Sequence, residues 1–365
     1  MFVAASTCLR GSRPLVQLID RCCRRAGGKQ PINVSVLRSF RVFPSKQTSM
    51  RNRFGRSQLN SNRGNDPSAP PSALDAGRIV IAAGAALGLG GLCYYGLAMT
   101  PTGTDAMSAI DRAAVWPEYV RQRIKMTYAY LAGGAALAAG TAAALSRSPA
   151  FCRVMVGSGW LAPIGMMIAS MGAGVVCQML PYPASGALGT KHLAWVVFSS
   201  SIGAMLMPVC LLGGPLITRA ALYTGGIVGG LSTVAVTAPS DRFLTWGGPL
   251  AIGLGVVVVS SLGSMFLSPV GRLGSGMAAI SLYGGLLLFS GFLLYDTQMV
   301  IRRAEMHPPP GRYSDQMFAG DLSIRQPLTI RPFDPINSSI HILLDTVNIF
   351  VRVVSILAGG GQRRK

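Results

Sequence analysis

Acidic residues are scarce in this chain, with 13 Asp and Glu against 33 Lys and Arg in 365 residues. Charged residues of both signs make up only 13%, and mean hydropathy is positive. That shortage excludes an ordinary soluble domain and points to a polytopic membrane protein. Paired cysteines are also missing. The seven Cys are scattered without a C-x-x-C, which argues against a disulfide framework or a zinc site. Cys93, Cys152, Cys177 and Cys210, in or near apolar stretches, read as small packing residues. No sufficiently long apolar core lies close to the start, which excludes a secretory signal. There is no phosphate loop, metal-ligand cluster, triad spacing or internal repeat. The expectation is therefore a protein that is not an enzyme and carries no cofactor.

What is present begins with a basic N-terminus. Residues 1–65 hold 13 Lys and Arg and a single acid, Asp20, and the remaining chain is far closer to balance. "RCCRRAGGKQ" and "RSFRVFPSKQTSMRNRFGR" space their Arg residues as mitochondrial import sequences do. Segregation of the charge into a Ser-containing, acid-poor leader fits a transit peptide over 1–65 better than nucleic-acid binding, and no nucleic-acid partner is expected. "SNRGNDPSAPPSALDAG" follows, and its Pro, Ser and Gly predict a disordered linker over 66–78.

Spanning a bilayer takes about 20 apolar residues in a helix. Eight stretches qualify: Ile79–Met99, Met126–Leu145, Ser158–Leu180, Leu193–Gly213, Leu216–Ala238, Phe243–Leu267, Met277–Val300 and Ile336–Ala358. Gly is abundant in them (45 in the chain), as in Gly84-x-x-x-Gly88, and small residues let membrane helices approach closely. "GGP" at 213–215 and "APSDR" at 238–242 are short turns, so successive spans are antiparallel neighbours in one bundle. The polar, Pro-rich 302–335 stretch is the exception, and residues 361–365 form a basic tail.

The charges of the connections bear on orientation. Connections on the side holding the 100–125 connection, called side B, carry eleven Lys and Arg, and the connections on the opposite side A carry four. The positive-inside rule places side B in the matrix. A leader that enters the matrix first, followed by a span that stops transfer, places side B outside. The two signals oppose each other, and both orientations stand.

Within the spans only Arg219, Asp296, Asp345 and Arg352 are ionisable charges. Arg219, in the first turn of its span, and Arg352, near the end of the last, are long enough to snorkel to an interface. An aspartate is too short for that. In "INSSIHILLDTVNIFVRVVSILAGG", His341, Asp345, Asn348 and Arg352 recur at steps of four, three and four, which sets them on one helix face. His341, near the interface, reads as exposed. "FDPIN" supplies a start signal, with Asp334 as N-cap and Pro335 as the first helical residue.

At about 1.5 Å per residue, Asp345 lies roughly 14 Å from side B and Asp296 roughly 9 Å. Their spans are consecutive and antiparallel, so the carboxylates share one half of the membrane and can meet. Two such groups cannot both ionise cheaply in a low dielectric, so the pair titrates as a unit. A shared proton joins them at acid pH, and its loss drives them apart. The same pair attracts Ca²⁺, with too few oxygen ligands for tight storage, which suits a permeation site. The alternative is that both aspartates serve packing or hydrogen bonding between spans.

"GLLLFSGFLLYDTQMVIRRAE" and "DPINSSIHILLDTVNIFVRVVSILAGG" resemble the transmembrane Bax-inhibitor-motif family. "RQRIKMTYAYLAGGAALAAG" and "TAPSDRFLTWGGPLAIGLGVVVVSSLGSMF" support the match, which covers about 110–360 in the family's order. With the basic leader and the additional span at 79–99, the chain is most similar to the family's mitochondrial inner-membrane branch. The resemblance implies an all-α bundle of seven helices with the last one central, plus one N-terminal span. It implies that Asp296 and Asp345 form a pH-sensing latch that holds Ca²⁺ transiently. His341, Asn348 and Arg352 would support that latch. The implied activity is Ca²⁺ leak or Ca²⁺/H⁺ exchange in the inner membrane, with Ca²⁺ and H⁺ as transported ions. Roles in cristae organisation, cytochrome c retention and restraint of apoptosis are implied as well, with cytochrome c, inner-membrane proteases and cristae-organising proteins as partners.

Two rival readings remain. "LYDTQ" supplies the Tyr-Asp of a presenilin-type aspartyl protease, but Leu343 and Leu344, not Gly, precede Asp345, and "FAGD" at 318–321 lies in a polar loop. "VGSG" and "LGSG" misplace the first Gly of a rhomboid-type serine site. The other rival is a scaffold for the inner membrane that transports nothing.

Overall fold

A computed structural model describes residues 87–88, 90, 116–157, 161–183, 188–238, 243–267, 271–307 and 333–361. The expected leader over 1–65, the linker over 66–78, most of the 79–99 span and residues 362–365 lie outside them.

No strand occurs among the described residues. Helix α1 is Glu118–Ser146, α2 Pro149–Gly157, α3 Leu161–Met179, α4 Thr190–Cys210, α5 Gly214–Thr237 and α6 Gly247–Phe266. Helix α7 (Arg272–Ala279) runs through a π turn (Ile280–Gly284) into α8 (Gly285–Met306), and α9 is Pro335–Gly361. The seven spans expected after residue 120 each fall on one of these helices, and the short α2 is extra.

Among the described residues, five helical stretches meet both the length and the hydropathy of a bilayer span: Glu118–Ser146, Thr190–Cys210, Leu244–Ser264, Leu273–Met306 and Pro335–Gly359. In α3 the apolar part is Ile164–Met179. In α5, Gly, Thr and Arg219 dilute the apolar residues.

Small residues set the closest approach, where α1 crosses α4. A Cβ on Gly203 would overlap the Ala138 backbone and press to 2.8 Å of Thr141 Cβ. The helices can touch there only because the side chain is absent. The "GGP" turn is where expected. Gly213 has φ 112°, a conformation natural to Gly, and Pro215 sits in the first turn of α5, where its missing N–H costs nothing.

Helix α9 is central. It packs against α1, α5 and α8, and Ile336, Ile340, Ile342, Leu343 and Ile349 along it are fully buried. By contrast Ile168, Met171, Ile252 and Val259 on α3 and α6 are exposed, an apolar exterior suited to lipid. Near the N-terminal end of the described chain, Gly88 is helical and lies against the Leu287 side chain of α8.

Candidate functional site: a carboxylate pair between α8 and α9

Helices α8 and α9 are antiparallel neighbours, and their side-B halves are pinned from three directions. Gln298, two residues after Asp296, is buried. Its Oε1 accepts the Phe243 N–H at 2.8 Å, and its Nε2 donates to the Ala235 carbonyl at 3.4 Å. It thereby ties α8 to the α5–α6 turn. Arg123 on α1 donates from Nη1 to the carbonyls of Ala304 (2.8 Å) and His307 (2.9 Å), satisfying the end of α8. Its guanidinium also lies over the rings of Tyr119 and Phe333.

At the start of α9, Asp334 acts as the expected N-cap, its Oδ1 accepting the Asn337 N–H at 3.0 Å. Its other oxygen pairs with Lys191, whose Nζ also donates to the Leu180 carbonyl at 2.8 Å. The amide of Asn337 donates to the Gln178 carbonyl at 3.2 Å. The ends of α3, α4 and α9 are thus locked together.

On this frame the structure brings Asp296 and Asp345 together. Their carboxyls lie within hydrogen-bonding reach of each other. Asp345 is buried and Asp296 half-buried. Oδ2 of Asp345 is buried and has no hydrogen-bond partner among the described residues. Two facing carboxylates have no donor between them. A proton on one supplies a donor, and a cation satisfies both. His341 is exposed, as expected, and with Arg303 is close enough to interact with the Asp296 charge. No group of three His, Cys, Asp or Glu could hold a metal among the described residues. Among the described residues the pair therefore offers a cation two carboxylates and no three-ligand cluster.

Asn348 and Arg352 continue the face. Asn348 Nδ2 donates to the Leu344 carbonyl at 2.9 Å, and Arg352 Nη1 donates to the Asn348 carbonyl (3.0 Å) and Oδ1 (3.3 Å). The structure corrects one expectation here. Arg352 does not snorkel to the interface; it is buried at 3% exposure, with its guanidinium 4.4 Å from the centre of the Phe289 ring. Gly285 and Phe289 of α8 hold it inside, a seat that the sequence of α9 alone does not reveal.

Lys191 is a second correction. Counted among the connection charges of side B, it is 1% exposed and paired. In the sequence it stands two residues ahead of the Leu193–Gly213 span, and only the packing of the observed α4 (Thr190–Cys210) beside α9 joins it to the Asp334 cap. Gln298 and Arg123 were passed over as site residues because their partners are backbone groups distant in sequence.

The family described as inhibitor of apoptosis-promoting Bax1 matches residues 120–363. The chain belongs to this family. Within the Bax1-inhibitor family it is similar to the growth hormone-inducible transmembrane protein of Rattus norvegicus, 48% identical over 289 residues, or 79% of this chain and 77% of that protein. Bax inhibitor 1 of Rattus norvegicus is 31% identical over 115 residues, 31% of this chain and 46% of that protein. An uncharacterized membrane protein of Vibrio cholerae is 29% identical over 154 residues, 40% of this chain and 65% of that protein. No solved structure matches.

Proposed function

We propose that this multi-pass membrane protein carries out pH-sensitive Ca²⁺ transport in the mitochondrial inner membrane, as leak or as Ca²⁺/H⁺ exchange. The observation that carries the reading is the Asp296–Asp345 pair, whose buried Asp345 Oδ2 lacks a donor among the described residues. A protein that needed only packing at this position would use a neutral side chain, because an intramembrane acid is costly and its usual reason is function. The protonated pair is held together and the path is shut. Loss of the proton leaves two like charges that separate and admit Ca²⁺ as the transported ion.

The basic leader supports the mitochondrial location. The family description supports restraint of apoptosis, and a role in cristae organisation, with cytochrome c or inner-membrane proteases as partners, goes with the same reading. The protein acts as a transporter and not as an enzyme.

The test is reconstitution into liposomes with a Ca²⁺ dye and an imposed pH gradient. Asp296→Asn and Asp345→Asn are expected to abolish pH-dependent flux while the protein stays folded. Unchanged flux in both would end the latch, and no flux from the wild type at any pH would favour a scaffold that transports nothing.

A further inference from the structure

Seven residues beyond Asp345, about 10 Å along the helix axis, Arg352 occupies the same face of α9. It is buried in the bundle. Its guanidinium stacks on Phe289, its Nη1 is bonded to Asn348, and its Nε is buried with no partner. No carboxylate pairs with it among the described residues, since Asp345 faces Asp296 instead. Its seat is Gly285, the first residue after the π turn Ile280–Gly284, and a Cβ there would overlap the guanidinium. π turns inside α-helices are frequent at functional sites.

A buried, unpaired cation is a poor packing element. A Met or Leu of similar bulk would fill the space without the cost of desolvating a charge. What a fixed positive charge does in a membrane is repel cations, as an arginine does in pores that exclude them.

We propose that Arg352 is the cation barrier of the transport path. It stands on the side-A flank of the carboxylate pair and sets how fast, and how selectively, Ca²⁺ leaves that pair toward side A. This rests on the transport reading above. On this inference the two aspartates draw the cation in, and Arg352 keeps the path from conducting freely. The Asn348 amide, hydrogen-bonded to Arg352, holds the guanidinium in line with the stripe.

The experiment uses the full chain in liposomes, reading Ca²⁺ flux by dye and the Na⁺ leak separately. Arg352→Gln is expected to raise Ca²⁺ flux on the order of a hundredfold, the size of effect that one charge has on a divalent ion at this range in a partly screened interior. It should also open a Na⁺ leak that the wild type lacks. Arg352→Lys, which restores the charge, brings both back toward wild type. Gly285→Ala keeps the arginine but denies it the seat, and flux rises in the same direction. If Arg352→Gln does not fold, Gly285→Ala carries the test alone. Wild-type or lower flux in folded Arg352→Gln or Gly285→Ala, with Asp345→Asn still inactive, overturns the barrier and leaves the carboxylate gate standing. A wild-type protein that passes no Ca²⁺ overturns both.

Discussion

Oδ2 of Asp345 is buried and lacks a donor among the described residues, and an asparagine at that position would bring one. Asn has nearly the shape of Asp, carries no charge to desolvate, and can donate to Asp296. If the pair were only a strut between α8 and α9, Asp345→Asn would be harmless. We expect the variant to be more stable than wild type by about 1 kcal/mol, a rise of roughly 2–4 °C in Tm for a domain of this size, measured by thermal unfolding in detergent. Its pH-dependent flux should be absent. A gain in stability with a loss of flux is the signature of a residue kept for ionisation, and a stable variant with unchanged flux would argue for the strut. The sign of the wild-type pH dependence follows from the charge. With equal pH on both sides, raising it strips the shared proton, the carboxylates repel, and flux rises. Acidification closes the path, and either asparagine variant should show a flat profile.

Helix α9 carries the site, and its position depends on how its first turn is anchored. The local part of that anchor was legible: Asp334 followed by Pro335 is a start signal, and the cap bond to Asn337 is present. The tertiary part was not. Lys191 lies 143 residues away and meets Asp334 only because α3, α4 and α9 converge. Arg352 was misread for the same reason. Snorkelling is what a long cationic side chain does on an isolated helix, whereas here a Gly and a Phe on α8 provide a site inside the bundle. Facing of Asp296 and Asp345 was legible because it needs only helix rise and the antiparallel order of consecutive spans. Lys191→Met leaves the partly exposed Asp334 carboxylate without its partner, at a cost of about 1–3 kcal/mol. In the double variant Lys191→Met, Asp334→Asn, the cap oxygen survives and the stranded charge is gone. Unfolding measurements should therefore show the double variant recovering most of the loss. If the two single losses simply add, the pair is not a unit.

Across the whole molecule the order of spans follows from hydropathy, since each needs only its own apolar length. What hydropathy leaves out is the kind of contact between spans. The Gly203 crossing of α1 and α4, the π turn ahead of Gly285 and the burial of Lys191 all depend on which helices are neighbours. Helix α9, 27 residues long, has its central part buried among α1, α5 and α8 and runs antiparallel to α8. The end of α8 and the start of α9 are therefore on side B, and the end of α9 at Gly361 is on side A. Protease protection with one tag in 308–332 and another at the C-terminus should give opposite results in intact mitoplasts: one tag is cleaved and the other is protected until the inner membrane is opened. Which tag is cleaved assigns side B. A cleaved C-terminal tag puts the eleven basic residues of side B in the matrix, in keeping with the positive-inside rule. A cleaved 308–332 tag means that the leader and the first span govern insertion. Cleavage of both tags, or of neither, would show that α9 does not cross the membrane, and the carboxylate pair would then lack the transmembrane path that the transport reading requires.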